Sequence, residues 1–303
     1  LISAKFTALK RGVDERNTVK PSLGILALCF DQNTVDGLAS FLSSMTIAAT
    51  QINLRDALAV WRRDVEVHLR LWKMHLVAPI IQPVFSIFAF GWGVGALVAG
   101  RVSGISYLSF VGAGILGLTV LMRAMFETTY AAYFRMVYQS TYDAILATPV
   151  DAESLAFAEI LWAITHAALD TVIILVILAV FGATTSPLAI LSPLPLIVGS
   201  LFISGLSLGI TAHVHDIDAF NVYMAAFFST MLICGAWFPI QVLPAWLRLC
   251  AWAIPMTESI DLSRALLTGH FLTRHIYESL YLLLSAGVAV EWATRSLRRR
   301  MVA

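Results

Sequence analysis

From position 77 to the end, the chain alternates long apolar runs with short polar joints. A helix needs about 20 predominantly apolar residues to cross the hydrocarbon core of a bilayer. Six runs meet that length, at roughly 77–99, 105–126, 155–181, 188–212, 220–238 and 276–293, and each is predicted to be a membrane-spanning helix. Glycines recur in the first, second and fourth runs, where small residues let helices approach closely. The fourth run tolerates Pro193 and Pro195 because both fall near its start.

Ahead of these spans the polar positions interleave with the apolar ones. Leu54, Leu58, Trp61, Val65, Leu69 and Trp72 fall on one stripe at helical spacing, with Arg62, Arg63, Glu66, Arg70 and Lys73 beside or opposite it. Trp61 and Trp72 on the apolar face, flanked by Arg62 and Arg63, predict a helix over 54–73 lying in the membrane interface. An ordinary amphipathic helix packed on protein would carry the same stripe. Residues 1–53 mix charges with one short apolar patch at 23–30, behind the acidic pair Asp14 and Glu15. They do not read as a signal peptide. They are set apart as an N-terminal extension without a readable role, and 54–303 as the transmembrane domain.

Two joints are unusual. Residues 127–153 are too polar to face lipid throughout, and Gln139 to Leu146 predicts a short helix there. Ser140 or Thr141 can cap its start and Pro149 stops it. Residues 237–264 are too apolar for a free loop and too interrupted, by Pro239, Pro244 and Pro255, for a span. Two half-helices dipping into the outer leaflet fit, with Trp237, Trp246 and Trp252 at headgroup level.

Composition agrees with the pattern. The 303 residues are 59% hydrophobic and 13% charged, with mean hydropathy +0.81, against about 25% charged in a soluble domain. The distribution of charge adds a direction. With both termini cytoplasmic, 16 of the 20 basic residues lie inside, and only Arg101, Arg248, Arg264 and Arg274 fall outside. The 127–153 joint is then cytoplasmic, and the chain is placed in the inner (plasma) membrane. Cys29, Cys234 and Cys250 give neither a disulfide framework nor a zinc spacing.

Candidate chemistry is sparse. Glu159, His166 and Asp170 share one face of the third span, and ionisable residues inside a span are functional candidates by default. They read either as a proton relay or as polar groups paired with neighbouring helices. His213, His215, Asp216 and Asp218 have zinc-like spacing but no further ligand near in sequence, so a structural polar turn is preferred and no metal is expected. Glu127 can pair with Arg123 at spacing four; Arg135, at spacing eight, is not a direct partner on one helix. That pairing is either a helix-surface contact or a joint that transmits motion of the 139–146 helix. The chain has no Gly-x-x-x-x-Gly-Lys-Ser/Thr loop to cradle ATP phosphates. No basic patch points to nucleic acid; the basic residues follow topology and anionic membrane lipid.

Three segments carry a resemblance. Phe126-Glu-Thr-Thr-Tyr-Ala-Ala-Tyr-Phe-Arg-Met136, Gly235-Ala-Trp-Phe-Pro239 with Leu243-Pro244, and Ile254-Pro-Met-Thr-Glu-Ser-Ile-Asp-Leu-Ser-Arg264 resemble the ABC-2 type permease family of ATP-binding-cassette exporters. The first segment matches the branch that serves nodulation-factor export, and the likeness runs from about Ala57 to the C-terminus. It marks Glu127, Tyr130, Arg135, Pro239, Pro244, Pro255, Asp261 and Arg264 as motif residues. The fold implied is an all-α integral membrane protein: six transmembrane helices, an N-terminal interfacial helix, a cytoplasmic coupling helix and an outer re-entrant hairpin. A homodimer joined to two ATP-hydrolysing subunits is implied, with ATP and Mg on those partners and no cofactor on this chain. The implied contact with the ATPase is Gln139, Ser140, Thr141, Tyr142, Asp143, Ile145 and Leu146, with Tyr142, Ile145 and Leu146 as outward anchors. The implied cargo is a lipid-linked or amphipathic saccharide, lipo-chitooligosaccharide-like, moved outward. An ABC-2 drug exporter has the same architecture. A membrane-embedded enzyme on lipid-linked sugars, with Glu159, His166 and Asp170 as acid–base set, and a proton-driven carrier are the alternatives from other classes.

Overall fold

The structure, a computed structural model, describes residues 52–302 except Leu71, the stretch 98–101 and Ser103. The expected extension at 1–53 falls outside the described residues but for its last two positions, as does Arg101. Every regular element among the described residues is helical. In chain order they are α1 (Leu54–Arg70), α2 (Trp72–Ser86), α3 (Tyr107–Phe126), α4 (Thr141–Leu146), α5 (Ala152–Val180), α6 (Pro193–Thr211), α7 (Phe220–Ile233), α8 (Ala245–Trp252), α9 (Pro255–Thr268) and α10 (Arg274–Val302). A π segment, Ile87–Val94, extends α2, and two more, Glu127–Ala131 and Phe134–Tyr138, extend α3.

Among the described residues, three helices are long and apolar enough to cross a membrane: Tyr107–Tyr138 counted with its π segments, Ala152–Val180 and Pro187–Thr211. The expected first and fifth spans contain shorter apolar helices, Ile80–Val94 and Ile217–Ile233. The sixth expected span lies inside α10, which has 29 residues but ends in Arg295, Arg298, Arg299 and Arg300. The second span does not stop at 126. Backbone hydrogen bonding runs on to Tyr138, so nearly half of the expected loop is helix.

The core forms where α3, α5, α6, α9 and α10 meet. Gly205 of α6 permits one of these close approaches: a Cβ there would lie 2.6 Å from the Ala289 carbonyl carbon of α10. Gly114 of α3 does the same against Ala236, whose carbonyl oxygen would be 2.2 Å from an added Cβ. Such contacts are possible only without a side chain. The far end of α10 closes on α6 through Arg300, whose Nη1 donates to the Thr211 and Val214 carbonyls at 2.7 and 2.5 Å. A guanidinium there satisfies carbonyls left over at a helix C-terminus. Arg298 reaches Glu153 at the start of α5, at 2.9 Å.

Helix α1 turns out differently from its apolar stripe. Its buried face is Ala57, Val60 and Asp64, while Leu54 and Leu69 are each 62% exposed and Leu58 is exposed too. The helix therefore packs on protein through small and polar residues. Leu54, Leu58 and Leu69 point away, to the side that a lipid surface would meet, while Trp61 is half-buried. The half-helices expected at 237–264 exist as α8 and α9. Yet α9 is buried along most of its length, packed against α3 and α6 rather than lying open on the outside.

Candidate functional site

Polar groups gather at two places, one at each family-like segment. The first lies where α1, the π-extended end of α3 and the first half of α5 converge. Arg135 is its centre. Its Nη1 donates to Glu127 Oε1 at 3.0 Å, its Nη2 to Glu159 Oε2 at 2.5 Å and its Nε to Glu159 Oε1 at 3.2 Å. The expected Glu127–Arg123 pair does not form. The wider π turns at 127–131 and 134–138 bring Arg135 back over Glu127, which the straight α-helix assumed at spacing eight does not allow. Arg123 instead donates from Nε to Asp170 Oδ2 at 2.8 Å.

Glu127 is held from three sides. Trp162 Nε1 donates to its Oε1 at 3.0 Å, and His166 Nδ1 lies 3.3 Å from its Oε2. His166 Nε2 in turn meets His68 Nδ1 of α1 at 2.7 Å. Two more contacts tie α1 to α5: Trp61 Nε1 donates to Thr165 Oγ1 at 3.0 Å, and the Asn53 N–H to Ser154 Oγ at 3.0 Å. Asp64 is buried beside this cluster and bonds Arg63 at 2.7 Å. Burial pushes its carboxyl up from the usual range, against the pull of Arg135 and Arg63. Glu159 and His166 thus enter one cluster through Glu127 and Arg135, whereas Asp170 pairs with Arg123. Polar pairing between helices describes all three. His68, Asp64 and Trp162 escaped the sequence reading. The spacing Ala57, Val60, Asp64, His68 was the available signal: a small and polar face opposite the apolar stripe.

Over this cluster sits the short helix α4. It begins at Thr141, and Ser140 occupies the N-cap position in the left-handed region, φ 48°, without a side-chain cap bond. The expected Ser140 cap is therefore not made. The chain reverses sharply at Ser140, and the turn aims Tyr142 inward. Tyr142 is 0% exposed, the largest fully buried side chain among the described residues. This corrects the expectation of an outward anchor. Its ring packs among Ala57 and Val60 of α1, Ala132, Tyr133 and Met136 of the α3 extension, and Leu155 of α5. Its hydroxyl is pushed well above its ordinary value, by burial first and then by Glu159. Ile145 and Leu146 are half-buried, and Gln139, Ser140 and Asp143 are exposed. Tyr130 packs on the same core, its ring 5.2 Å from that of Phe220.

The second place gathers the remaining motif residues. Pro239 precedes a short 3-10 turn, Pro244 stands just before α8, and Pro255 is the first residue of α9, where its missing N–H costs nothing. Arg264 is buried. Its Nη2 donates to the Gly235 carbonyl at 2.8 Å, and its guanidinium lies 3.9 Å from the Phe110 ring centre. A small cleft of about 90 Å³ opens beside it, lined by Phe110, Pro239, Trp252, Asp261, Arg264 and Arg274 among others. Asp261 accepts from Arg274 Nη2 at 3.1 Å.

Asp261, His275 and Glu278 bring ligand-type atoms within 4.8 Å of one another, the one such group among the described residues. The geometry is that of an ion-pair cluster. His275 Nδ1 accepts the Leu272 N–H at 2.8 Å, and its Nε2 lies 3.9 Å from Asp261 and 3.8 Å from Glu278, with Arg274 Nε 3.4 Å from the same nitrogen. The His213–Asp218 segment is a polar turn: His213 bonds the Gly209 carbonyl at 2.8 Å and stacks on Trp292, and Asp216 accepts from the Asp218 N–H.

Comparison with known proteins adds an independent line. The model of the ABC-2 type transporter family matches residues 55–268. Nodulation protein J of Rhizobium leguminosarum bv. trifolii is 35% identical over 215 residues, 70% of this chain and 81% of that protein. Nodulation protein J of Rhizobium meliloti is 31% identical over 258 residues, 84% of this chain and 98% of its own length. The inner membrane transport permease YadH of Escherichia coli is 25% identical over 92 residues, 30% of this chain and 35% of that protein.

Proposed function

Because the chain belongs to the ABC-2 type transporter family, we propose that it is the six-span permease subunit of an exporter driven by a separate ATP-hydrolysing chain. ATP and Mg are bound by that partner, which docks on the cytoplasmic face at the 139–146 helix. Two copies of this chain form the path. The cargo is an amphipathic, lipid-linked saccharide of the lipo-chitooligosaccharide kind, moved from the cytoplasm across the inner membrane. Similarity to proteins named nodulation protein J supports that cargo class over a drug.

The observation that carries the coupling part of this reading is α4 itself. It is a short helix with Gln139 and Asp143 outward and a fully buried tyrosine beneath, seated on charged groups that tie three helices together. A surface for a partner to push on needs such a rigid seat. The reading as an enzyme on lipid-linked sugars loses support, since Glu159 is bonded to Arg135 and Asp170 to Arg123. The test is co-expression with the P-loop ATPase subunit of a nodulation-type exporter. Co-purification is expected, and the paired change Gln139→Asp with Asp143→Lys on the exposed face is expected to reduce it at least tenfold. A permease that never retains an ATPase contradicts the reading.

A further inference from the structure

We propose that Tyr142 is a positioning residue that transmits movement of α4 to the interfacial helix α1, with the Arg135 cluster as its bearing. The proposal rests on the reading of 139–146 as the ATPase docking helix and concerns what lies behind that surface. Three observations lead to it. The left-handed turn at Ser140 precedes α4, whose one aromatic side chain is fully buried while Ile145 and Leu146 pack half-buried on the same core. That ring shares one buried cluster with Ala57 of α1, Met136 of the α3 extension and Leu155 of α5. At its tip lie Glu159 and Arg135, from which hydrogen-bonded groups continue through Glu127 and His166 to His68 of α1.

The consequence is mechanical. A push on α4 cannot be absorbed by the Tyr142 ring, because packed side chains leave no free volume around it. The ring must move Arg135 with it, and Arg135 holds both Glu127 and Glu159. Helix α1, joined at Ala57, His68 and Trp61, follows. Coupling needs the length and flatness of the ring. The hydroxyl makes no hydrogen bond of ordinary geometry and is dispensable.

The experiment uses the full permease–ATPase complex in liposomes, with Cys29, Cys234 and Cys250 replaced by Ala and a spin label on Leu58→Cys, an exposed site on α1. Label mobility is read with and without ATP and vanadate, alongside the amount of ATPase retained. Unaltered Tyr142 and Tyr142→Phe are expected to show the same nucleotide-dependent change. Tyr142→Leu, which fills most of the volume but falls short of Arg135, is expected to retain the ATPase while the change shrinks at least fivefold. A full change in Tyr142→Leu overturns the proposal, as does loss of the change in Tyr142→Phe. Failure of the parent complex to retain ATPase would overturn the docking reading instead, a distinct result.

Discussion

Arg135 is the residue on which the cluster beneath α4 depends, since it is the guanidinium shared by Glu127 and Glu159. Removing one member of a buried pair leaves the other charge without compensation, at a cost of about 3–5 kcal/mol. Arg135→Leu is therefore expected to lower the thermal midpoint of the purified protein by many degrees and to reduce its yield in the membrane. Arg135→Lys keeps the charge but not the two-sided fork, and is expected to fall between. A midpoint unchanged in Arg135→Leu, measured by fluorescence-detected size exclusion after heating, would show that the cluster does not hold these helices. The residue types here were legible and the partners were not. Glu159 and His166 were visible as charged groups inside a span, but their partners depend on π turns that no local spacing announces. His68 and Asp64 lie on the small and polar face of α1, not on its apolar stripe, and the burial of Tyr142 follows a left-handed turn at Ser140 that no local spacing announces.

At the level of elements, the helices expected from apolar run length appear near their expected places, with the second continuing 12 residues past its expected end. The seats between them were less legible, since glycine frequency says that helices meet but not where. Gly205 locates one such seat, α6 on α10. Gly205→Val would drive a branched side chain into the Ala289 backbone, and is expected to cost roughly 1–3 kcal/mol or more by overpacking. The matching change at Gly93, whose nearest neighbour stands 3.7 Å from an added Cβ, is expected to be far milder. Equal thermal midpoints for Gly205→Val and Gly93→Val would contradict the close approach. Topology is tested on the same elements. Gln241, exposed before α8, is expected to react as Gln241→Cys with an impermeant thiol reagent applied outside, and Val302→Cys only after permeabilisation. The reverse pattern would invert the orientation drawn from basic residues.

For the whole molecule, the chain divides its polar chemistry between two ends. On one side Tyr142 of α4 is buried beside the ion pairs that Arg135 makes with Glu127 and Glu159. On the other, Arg264, Asp261 and Arg274 knit α9 to α10 beside the small cleft. The proposed function is that this chain carries an amphipathic saccharide outward on its partner's ATP. The direct measurement is uptake of radiolabelled lipo-chitooligosaccharide into inverted inner-membrane vesicles containing this chain and its ATPase. The account predicts accumulation that requires ATP, stops with vanadate, persists when the proton gradient is collapsed, and is absent when either chain is omitted. Accumulation that continues without ATP and follows the proton gradient would contradict it.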